Sequence, residues 1–150
     1  MFADVLQKPM PEAVSTGKRH SILIVDDDEI LSDVLSHRLK RQGFEAITAE
    51  SGLAGLSKAR TALPDLILLD LRLPDADGLA ICSELADSSE TCTIPVIILS
   101  GMESPDLLRR CRAAGCQYFV RKPYDPNALL ILIRQAIKDA EEWGEADEPI

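Results

Sequence analysis

Acidic side chains stand directly after two short apolar segments of this sequence. The segment SILIV is followed by Asp26, Asp27 and Asp28, and the segment LILL is followed by Asp70. Carboxylates that are brought together repel one another, which raises the pKa of at least one of them unless a cation is present. A hard divalent cation such as Mg²⁺ takes oxygen ligands and tends to bridge carboxylates to a phosphate oxygen. These aspartates therefore indicate cation and phosphate chemistry, provided that the fold brings them together.

A hydroxyl and an ammonium group end two further apolar segments. Ser100 closes the segment IPVIILS, and Lys122, which is followed by Pro123, comes directly after YFVR. A serine hydroxyl is a hydrogen-bond donor that suits phosphate oxygens, and a lysine ammonium neutralises their charge.

The apolar segments alternate with helical patterns, which predict the elements that must position these residues. Buried-strand patterns cover residues 21–26, 44–48, 65–70, 94–100 and 118–121. Helical patterns cover residues 29–42, 51–61, 79–86 and 105–114, and a last helix opens at Asp125 with Pro126 at its first position. Capping of the first helix is assigned to Asp28 or Glu29, and capping of the second to Ser51.

Five strands that alternate with five helices predict an α/β fold, a doubly wound parallel sheet with helices on both faces. In such sheets, ligands bind outside the carboxyl ends of the strands, so the aspartates, Ser100 and Lys122 are expected at one edge of one sheet. The predicted organisation is a flexible N-terminal segment at 1–20, a structured domain at 21–140 and an acidic C-terminal tail at 141–150.

Composition and charge exclude several function classes. The chain has 150 residues, is 46% hydrophobic and carries a net charge of -9, with six acids and no base in residues 139–150. Phosphate-backbone contacts need basic surface, so no direct nucleic-acid binding is expected. No segment resembles a signal peptide or a membrane span, so a cytoplasmic protein without membrane contact is expected. The four cysteines lack zinc-ligand spacing, and we expect them to be reduced.

The motifs VDDDE, LLDLRLPDADG, IILS and FVRKP occur in this order at four strand ends. In this combination the chain resembles the receiver domain of two-component response regulators, and the resemblance covers residues 21–138. It implies a chemotaxis-regulator-like, flavodoxin-like domain of five strands and five helices with strand order 2-1-3-4-5.

The resemblance makes Asp70 the phosphoacceptor for a phosphoryl group from a histidine kinase or phosphotransfer protein. The reaction would depend on Mg²⁺, with Mn²⁺ as a substitute. The implied metal ligands are Asp27 and Asp70 directly, Asp26 partly through water, and the backbone carbonyl of Arg72. Such a protein catalyses its own phosphorylation and slow dephosphorylation, and no ordinary enzymatic turnover is expected.

The resemblance also implies a switch. Ser100 and Lys122 would bind phosphoryl oxygens, Phe119 would move toward the space that Ser100 vacates, and the bond between Lys122 and Pro123 would be cis. Core packing alone is the alternative explanation for Phe119.

Two positions in receiver domains tune the lifetime of the aspartyl phosphate, and here they are Arg72 and Met102. Neither residue offers a carboxylate or an amide to orient an attacking water. We therefore expect a long-lived phosphoryl group.

The face formed by the fourth helix, fifth strand and fifth helix is the one through which receivers commonly signal. Its segment 101–122 has an excess of basic residues, namely Arg109, Arg110, Arg112, Arg121 and Lys122 against Glu103 and Asp106. An acidic downstream partner or a second copy of this chain would suit this face, and a solvated helix surface is the alternative.

Two other functions match parts of this pattern less well. A haloacid-dehalogenase-like phosphatase needs a second acid two residues after its nucleophile, where this chain has Arg72, although Asp75 and Asp77 have that spacing after Pro74. A flavodoxin-like cofactor binder needs a hydroxyl- or glycine-rich loop where this chain has three aspartates. Within the receiver family, the chain is either a stand-alone regulator or the receiver of a longer protein with a DNA-binding, cyclic-di-GMP or kinase output domain.

Overall fold

Strands and helices alternate along the residues that the computed structural model describes, 19–101 and 105–146, with side chains as far as Trp143. The strands are β1 Ser21–Val25, β2 Glu45–Ala49, β3 Leu66–Asp70, β4 Val96–Ser100 and β5 Tyr118–Arg121. The helices are α1 Glu29–Arg41, α2 Gly52–Ala62, α3 Gly78–Asp87, α4 Leu107–Ala113 and α5 Pro126–Ala146.

The strands form one parallel sheet in the order β2-β1-β3-β4-β5. Val25 of β1 lies beside Leu69 of β3, and Ser100 of β4 lies beside Arg121 of β5. The sheet confirms the predicted α/β fold and its strand order. Since the strands are parallel, the carboxyl ends of β1, β3, β4 and β5 share one edge.

Apolar side chains cover both faces of the sheet. Leu23 and Ile67 face a core built with α2, α3 and α4, whereas Ile22 and Ile24 face a second core built with α1 and α5. Every residue of β3 and β4 is buried, which confirms that β3 is covered on both faces. The alternation of side chains along each strand produces the two cores from one set of strands.

Side chains that are close in sequence cap the N-termini of α1 and α2. Asp28 accepts hydrogen bonds from the backbone N–H groups of Ile30 and Leu31, and Ser51 accepts one from Ala54, so both capping predictions are confirmed. The helix α5 extends to Ala146, so residues 141–146, which the sequence assigned to the acidic tail, continue this helix. Alanine and glutamate are good helix formers and support these extra turns.

Helix hydropathy and the state of the cysteines complete the description of the fold. Within the described ranges, no helix has the length and hydropathy needed to cross a membrane. The four cysteines are free thiols; Cys92 is exposed and the other three are buried.

Candidate functional site

The aspartates that follow β1 and β3 meet at the carboxyl edge of the sheet. Because β1 and β3 are adjacent, Asp26, Asp27 and Asp70 each place a carboxylate oxygen within 4.8 Å of the others. Asp26 and Asp70 are buried, whereas Asp27 is exposed at the mouth of the site. The predicted carboxylate cluster is therefore present in the fold.

Lys122 joins this cluster from β5. Its Nζ lies 2.9 Å from Asp70 Oδ2 and 3.5 Å from Asp26 Oδ2. The backbone N–H of Lys122 donates to the carbonyl oxygen of Ser100 at 2.8 Å, which ties the end of β5 to the end of β4. Ser100 is 1% exposed. The hydroxyl and the ammonium predicted at this edge thus lie on neighbouring strand ends.

Burial and like charge set the protonation behaviour of Asp26. Burial raises the pKa of its carboxyl, and the nearby carboxylate of Asp70 adds to this, while the N–H of Asp28 and the ammonium of Lys122 oppose it. The raised pKa of Asp26 agrees with the expectation for crowded carboxylates, although burial contributes more to it than the repulsion from Asp70 does.

The pKa of Lys122 also responds to the cluster. Burial lowers it, but the contacts with Asp70 and Asp26 outweigh that effect, so the net change is upward. Three carboxylates therefore face one well-protonated ammonium, and this excess of negative charge attracts a cation.

The loop between β3 and α3 is held close to Asp70. The backbone N–H of Arg72 donates to Asp70 Oδ1 at 2.9 Å. Gly78 lies so close to the end of β3 that an added Cβ would be 2.6 Å from the Cα of Leu71 and 2.9 Å from the carbonyl oxygen of Asp70. A side chain at this position would collide with backbone, so glycine permits the close approach.

One carboxylate in this loop has a role that the sequence interpretation missed. Asp75 accepts hydrogen bonds from the N–H groups of Gly52 at 2.8 Å and Leu53 at 3.0 Å, and so caps the N-terminus of α2 from another element. Helix α2 has no acidic residue in its first turn, and the carboxylate of Asp75 supplies negative charge that is favourable at this end of the helix. No sequence signal singled out this contact, since α3 and α4 also lack an acid in the first turn. Asp77 caps α3. Neither acid therefore joins the cluster, contrary to what the phosphatase alternative requires.

Phe119 and Tyr118, which are neighbours on β5, face opposite sides of the sheet. Phe119 packs against the core formed with α2, α3 and α4, whereas Tyr118 faces the other core and its Oη lies 3.2 Å from Asp139. The peptide bond between Lys122 and Pro123 is cis. The side chain of Arg72 is exposed, and Met102 lies outside the described residues.

Comparison with known proteins assigns the chain to a family. The family model of the response regulator receiver domain matches residues 22–134. The chain belongs to the receiver domain family. This receiver is 33% identical over 120 residues to the polar-differentiation response regulator DivK of Brucella ovis, an alignment that covers 80% of this chain and 98% of DivK.

Two further proteins are similar to this chain, one in sequence and one in structure. The DNA-binding dual master transcriptional regulator RpaA of Synechocystis is 32% identical over 125 residues; the alignment covers 83% of this receiver and 52% of RpaA, so the chain spans about half of that relative. A CheY-like receiver domain protein from Methanospirillum hungatei has a TM-score of 0.79 and 27% identity, and the match covers 83% of this chain and 98% of that one.

Two general properties of receiver domains concern the aspartate cluster. Receiver domains interact with histidine kinases or phosphotransfer proteins, and they generally bind Mg²⁺ at an acidic pocket. The donor set of this receiver fits such an ion, because three carboxylate oxygens converge at one place and a hard divalent cation takes oxygen ligands.

Proposed function

We propose that this receiver accepts a phosphoryl group on Asp70 from the phosphohistidine of a histidine kinase or phosphotransfer protein, in a reaction that depends on Mg²⁺. The observation that carries the proposal is the contact between the carboxylate of Asp70 and the ammonium of Lys122, at 2.9 Å, beside the carboxylates of Asp26 and Asp27. This combination supplies a nucleophile, a fixed cation and oxygen ligands for a second cation.

In the proposed step, an oxygen of Asp70 forms a bond to phosphorus while the bond between phosphorus and the imidazole nitrogen of the donor breaks. The electron pair of that bond stays with the imidazole. The ammonium of Lys122 neutralises charge on the transferring group, and the N–H of Arg72 holds the Asp70 carboxylate in place. Asp27, Asp70 and the carbonyl of Arg72, with Asp26 partly through water, would hold Mg²⁺, which would supply further positive charge to offset that of the transferring group.

After transfer, Ser100 and Lys122 would bind the phosphoryl oxygens, and Phe119 would follow Ser100. The burial of Ser100 supports this proposal, since a hydroxyl that reorients in a packed core must displace its neighbours. Phe119 lies beside Ile98 on the adjacent strand, two residues before the end of β5. The movement of Phe119 would thereby alter the surface formed by α4, β5 and α5.

Apolar residues on α1 are suited to docking of the phosphodonor protein. Ile30, Leu31 and Val34 are 73%, 50% and 59% exposed, and α1 begins two residues after Asp27. Leu31 also lines an apolar cavity of about 390 Å³ that reaches Lys122. A donor that covers this patch would bury apolar surface next to the acceptor, which accounts for its exposure here.

The face of α4, β5 and α5 is proposed to bind a downstream protein target with an acidic surface. Arg110, Arg112 and Arg121 are exposed, and Arg109 pairs with Asp106, the residue before α4. Charge reversal at Arg110 and Arg112 is expected to weaken partner binding and to leave phosphorylation of Asp70 unchanged. Unchanged partner binding would favour a solvated helix face instead.

The test of the phosphoacceptor uses a small phosphodonor. The protein is incubated with acetyl phosphate and Mg²⁺, and the intact mass is measured with and without a chelator. We expect one added phosphoryl group that requires the metal and is absent from Asp70→Asn. The control Asp33→Asn, an exposed aspartate on α1, should be modified like the natural protein. Continuous release of phosphate over many turnovers would instead indicate a phosphatase.

A further inference from the structure

A second cleft lies at the edge of the sheet opposite the aspartates. It has a volume of about 270 Å³ and is formed where β4 and β5 begin and the last turns of α5 pass over them. Its lining includes Pro95, Val96, Gln117, Tyr118, Ala140 and Trp143. Since parallel strands begin at the edge opposite their carboxyl ends, this cleft is separate from the site around Asp70.

The cleft carries an exposed aromatic residue. Trp143 is 69% exposed and is the single tryptophan of the chain. The volume is below the range of about 300–1,000 Å³ that small-molecule pockets occupy. A few side chains of a peptide segment suit such a space better than a cofactor does.

The N-terminal segment of this chain enters the described structure at the same edge. His20 directly precedes β1, and its Nε2 lies 2.9 Å from Oε2 of Glu141, two residues before Trp143 on α5. An extended chain advances up to about 3.3–3.6 Å per residue, so a few residues suffice to reach the cleft from His20.

The composition of the N-terminal segment complements the cleft. Residues 1–19 contain six large apolar residues, Met1, Phe2, Val5, Leu6, Met10 and Val14, together with three bases, Lys8, Lys18 and Arg19, and two acids, Asp4 and Glu12. The bases Lys18 and Arg19 directly precede His20, which contacts Glu141 in an acidic stretch of α5. Apolar groups for the cleft and bases for the acidic end of α5 therefore occur in one segment.

We propose that residues 1–18 dock in this cleft, with Phe2, Val5 and Leu6 covering Trp143. Because the segment is tethered, its effective concentration at the cleft is of the order of mM, so weak contacts are sufficient. The docked segment would cover the amino-terminal end of β5 and the end of α5. A partner protein that binds there would have to displace it.

The fluorescence of Trp143 tests the proposal in the full-length chain. The triple variant Phe2→Ser, Val5→Ser, Leu6→Ser is compared with the natural protein and with the control Ala3→Ser, Ala13→Ser. In the natural protein and the control we expect blue-shifted emission and protection from acrylamide. In the triple variant we expect a red shift and a quenching constant that rises to that of N-acetyltryptophanamide. Equal quenching in all three proteins would overturn the proposal.

A cross-linking experiment identifies the occupant. Cys92 is exposed and lines the cleft, so Leu6→Cys is expected to be joined to Cys92 within one chain by a short bis-maleimide, and Cys92→Ser should abolish this product. Products that join two chains and increase with protein concentration would assign the cleft to a second copy and overturn the proposal. Protection of Trp143 that is lost on removal of residues 147–150, but kept in the triple variant, would also overturn it.

Discussion

Nζ of Lys122 lies 2.9 Å from Oδ2 of Asp70, although 52 residues separate them in the sequence. Strand β4 lies between the strands that carry them, so the long lysine side chain crosses the end of β4 to reach the carboxylate. The same ammonium is 3.5 Å from Asp26. One cation thus offsets part of the charge of the aspartate cluster, and the remaining negative charge determines how the site responds to protons and metal ions.

The substitution Asp26→Asn is expected to stabilise the metal-free protein at neutral pH. Asparagine keeps an oxygen acceptor for the N–H of Asp28, but it removes a buried charge that Asp70 repels. We expect the free energy of unfolding to rise by roughly 1 kcal/mol, measured by urea denaturation in a chelator. A loss of stability in the chelator would contradict this, and saturating Mg²⁺ should reduce or reverse the gain.

The pH dependence of this effect has a definite sign. The folded pKa of Asp26 is raised above its ordinary value of 3.8, so the ionised form is disfavoured by folding. Its penalty is absent below the unfolded pKa and grows as pH rises through the folded pKa. The stability difference between Asp26→Asn and the natural protein should therefore shrink as pH falls from 7 toward 4. A difference that is independent of pH would contradict this account.

Mg²⁺ is expected to raise the melting temperature through Asp27. A ligand that binds only the folded state adds about 2.7 kcal/mol at a concentration one hundred times its Kd. Thermal unfolding with increasing Mg²⁺ should show this shift in the natural protein and a much smaller one in Asp27→Asn, which loses an exposed carboxylate of the cluster. The control Asp33→Asn should respond like the natural protein. Equal shifts in all three would place the metal elsewhere.

The substitution Gly78→Ala is expected to destabilise the fold and to slow phosphorylation of Asp70. The added Cβ would meet the backbone of Leu71 at 2.6 Å, which must shift at a cost of about 1–3 kcal/mol. Gly101→Ala is the matched control, since its nearest neighbour would be the Cβ of Lys122 at 3.9 Å. Denaturation and the rate of modification by acetyl phosphate check both effects. Equal free energies of unfolding for the two variants would show that the loop between β3 and α3 can shift at little cost.

The carboxylate of Asp75 is expected to stabilise α2 above acidic pH. Its two backbone hydrogen bonds lower its pKa below the ordinary value of 3.8. The contribution is therefore present above the unfolded pKa and is lost as pH falls through the folded pKa. Asp75→Ala should lower the melting temperature at pH 7, and Asp75→Asn, which keeps one acceptor, should lower it less. Identical melting temperatures for both variants and the natural protein would show that Asp75 does not stabilise α2.

The lifetime of the aspartyl phosphate is expected to be long and to depend on the residue two positions after the acceptor. The side chain of Arg72 is exposed and offers no oxygen to orient water. Arg72→Glu should shorten the lifetime, measured as loss of the added phosphoryl mass after the donor is removed. Arg112→Glu, an exposed change on α4, is the control. Decay within seconds in the natural protein would contradict the prediction.

Local patterns were sufficient to predict much of the fold and the site. The apolar runs, the basic and glycine helix ends and the caps Asp28 and Ser51 report contacts within a few residues, which is why the element types could be predicted, whereas the strand order was implied by the resemblance to receiver domains. The four motifs at strand ends likewise identified Asp26, Asp27, Asp70, Ser100 and Lys122 as neighbours, because parallel strands carry their carboxyl ends to one edge.

Contacts between distant elements were not predictable in this way. The sequence places Asp75 after Pro74 in the segment that follows β3, and only the packing of this loop against α2 makes it the cap of that helix. Residues 141–150 are predicted to form an acidic tail, and the first of them, 141–146, are helical, because a helix that is already packed extends at little cost.

The sequence by itself determined the element types and the residues that end the parallel strands, and its motifs, by their resemblance to receiver domains, indicated the family and the strand order. Only the tertiary structure decided the distances of Lys122 from Asp70 and Asp26, the raised pKa of Asp26 and the close approach of Gly78 to β3. These properties depend on burial and on gaps of a few ångströms between elements, and the one-dimensional pattern does not encode either quantity.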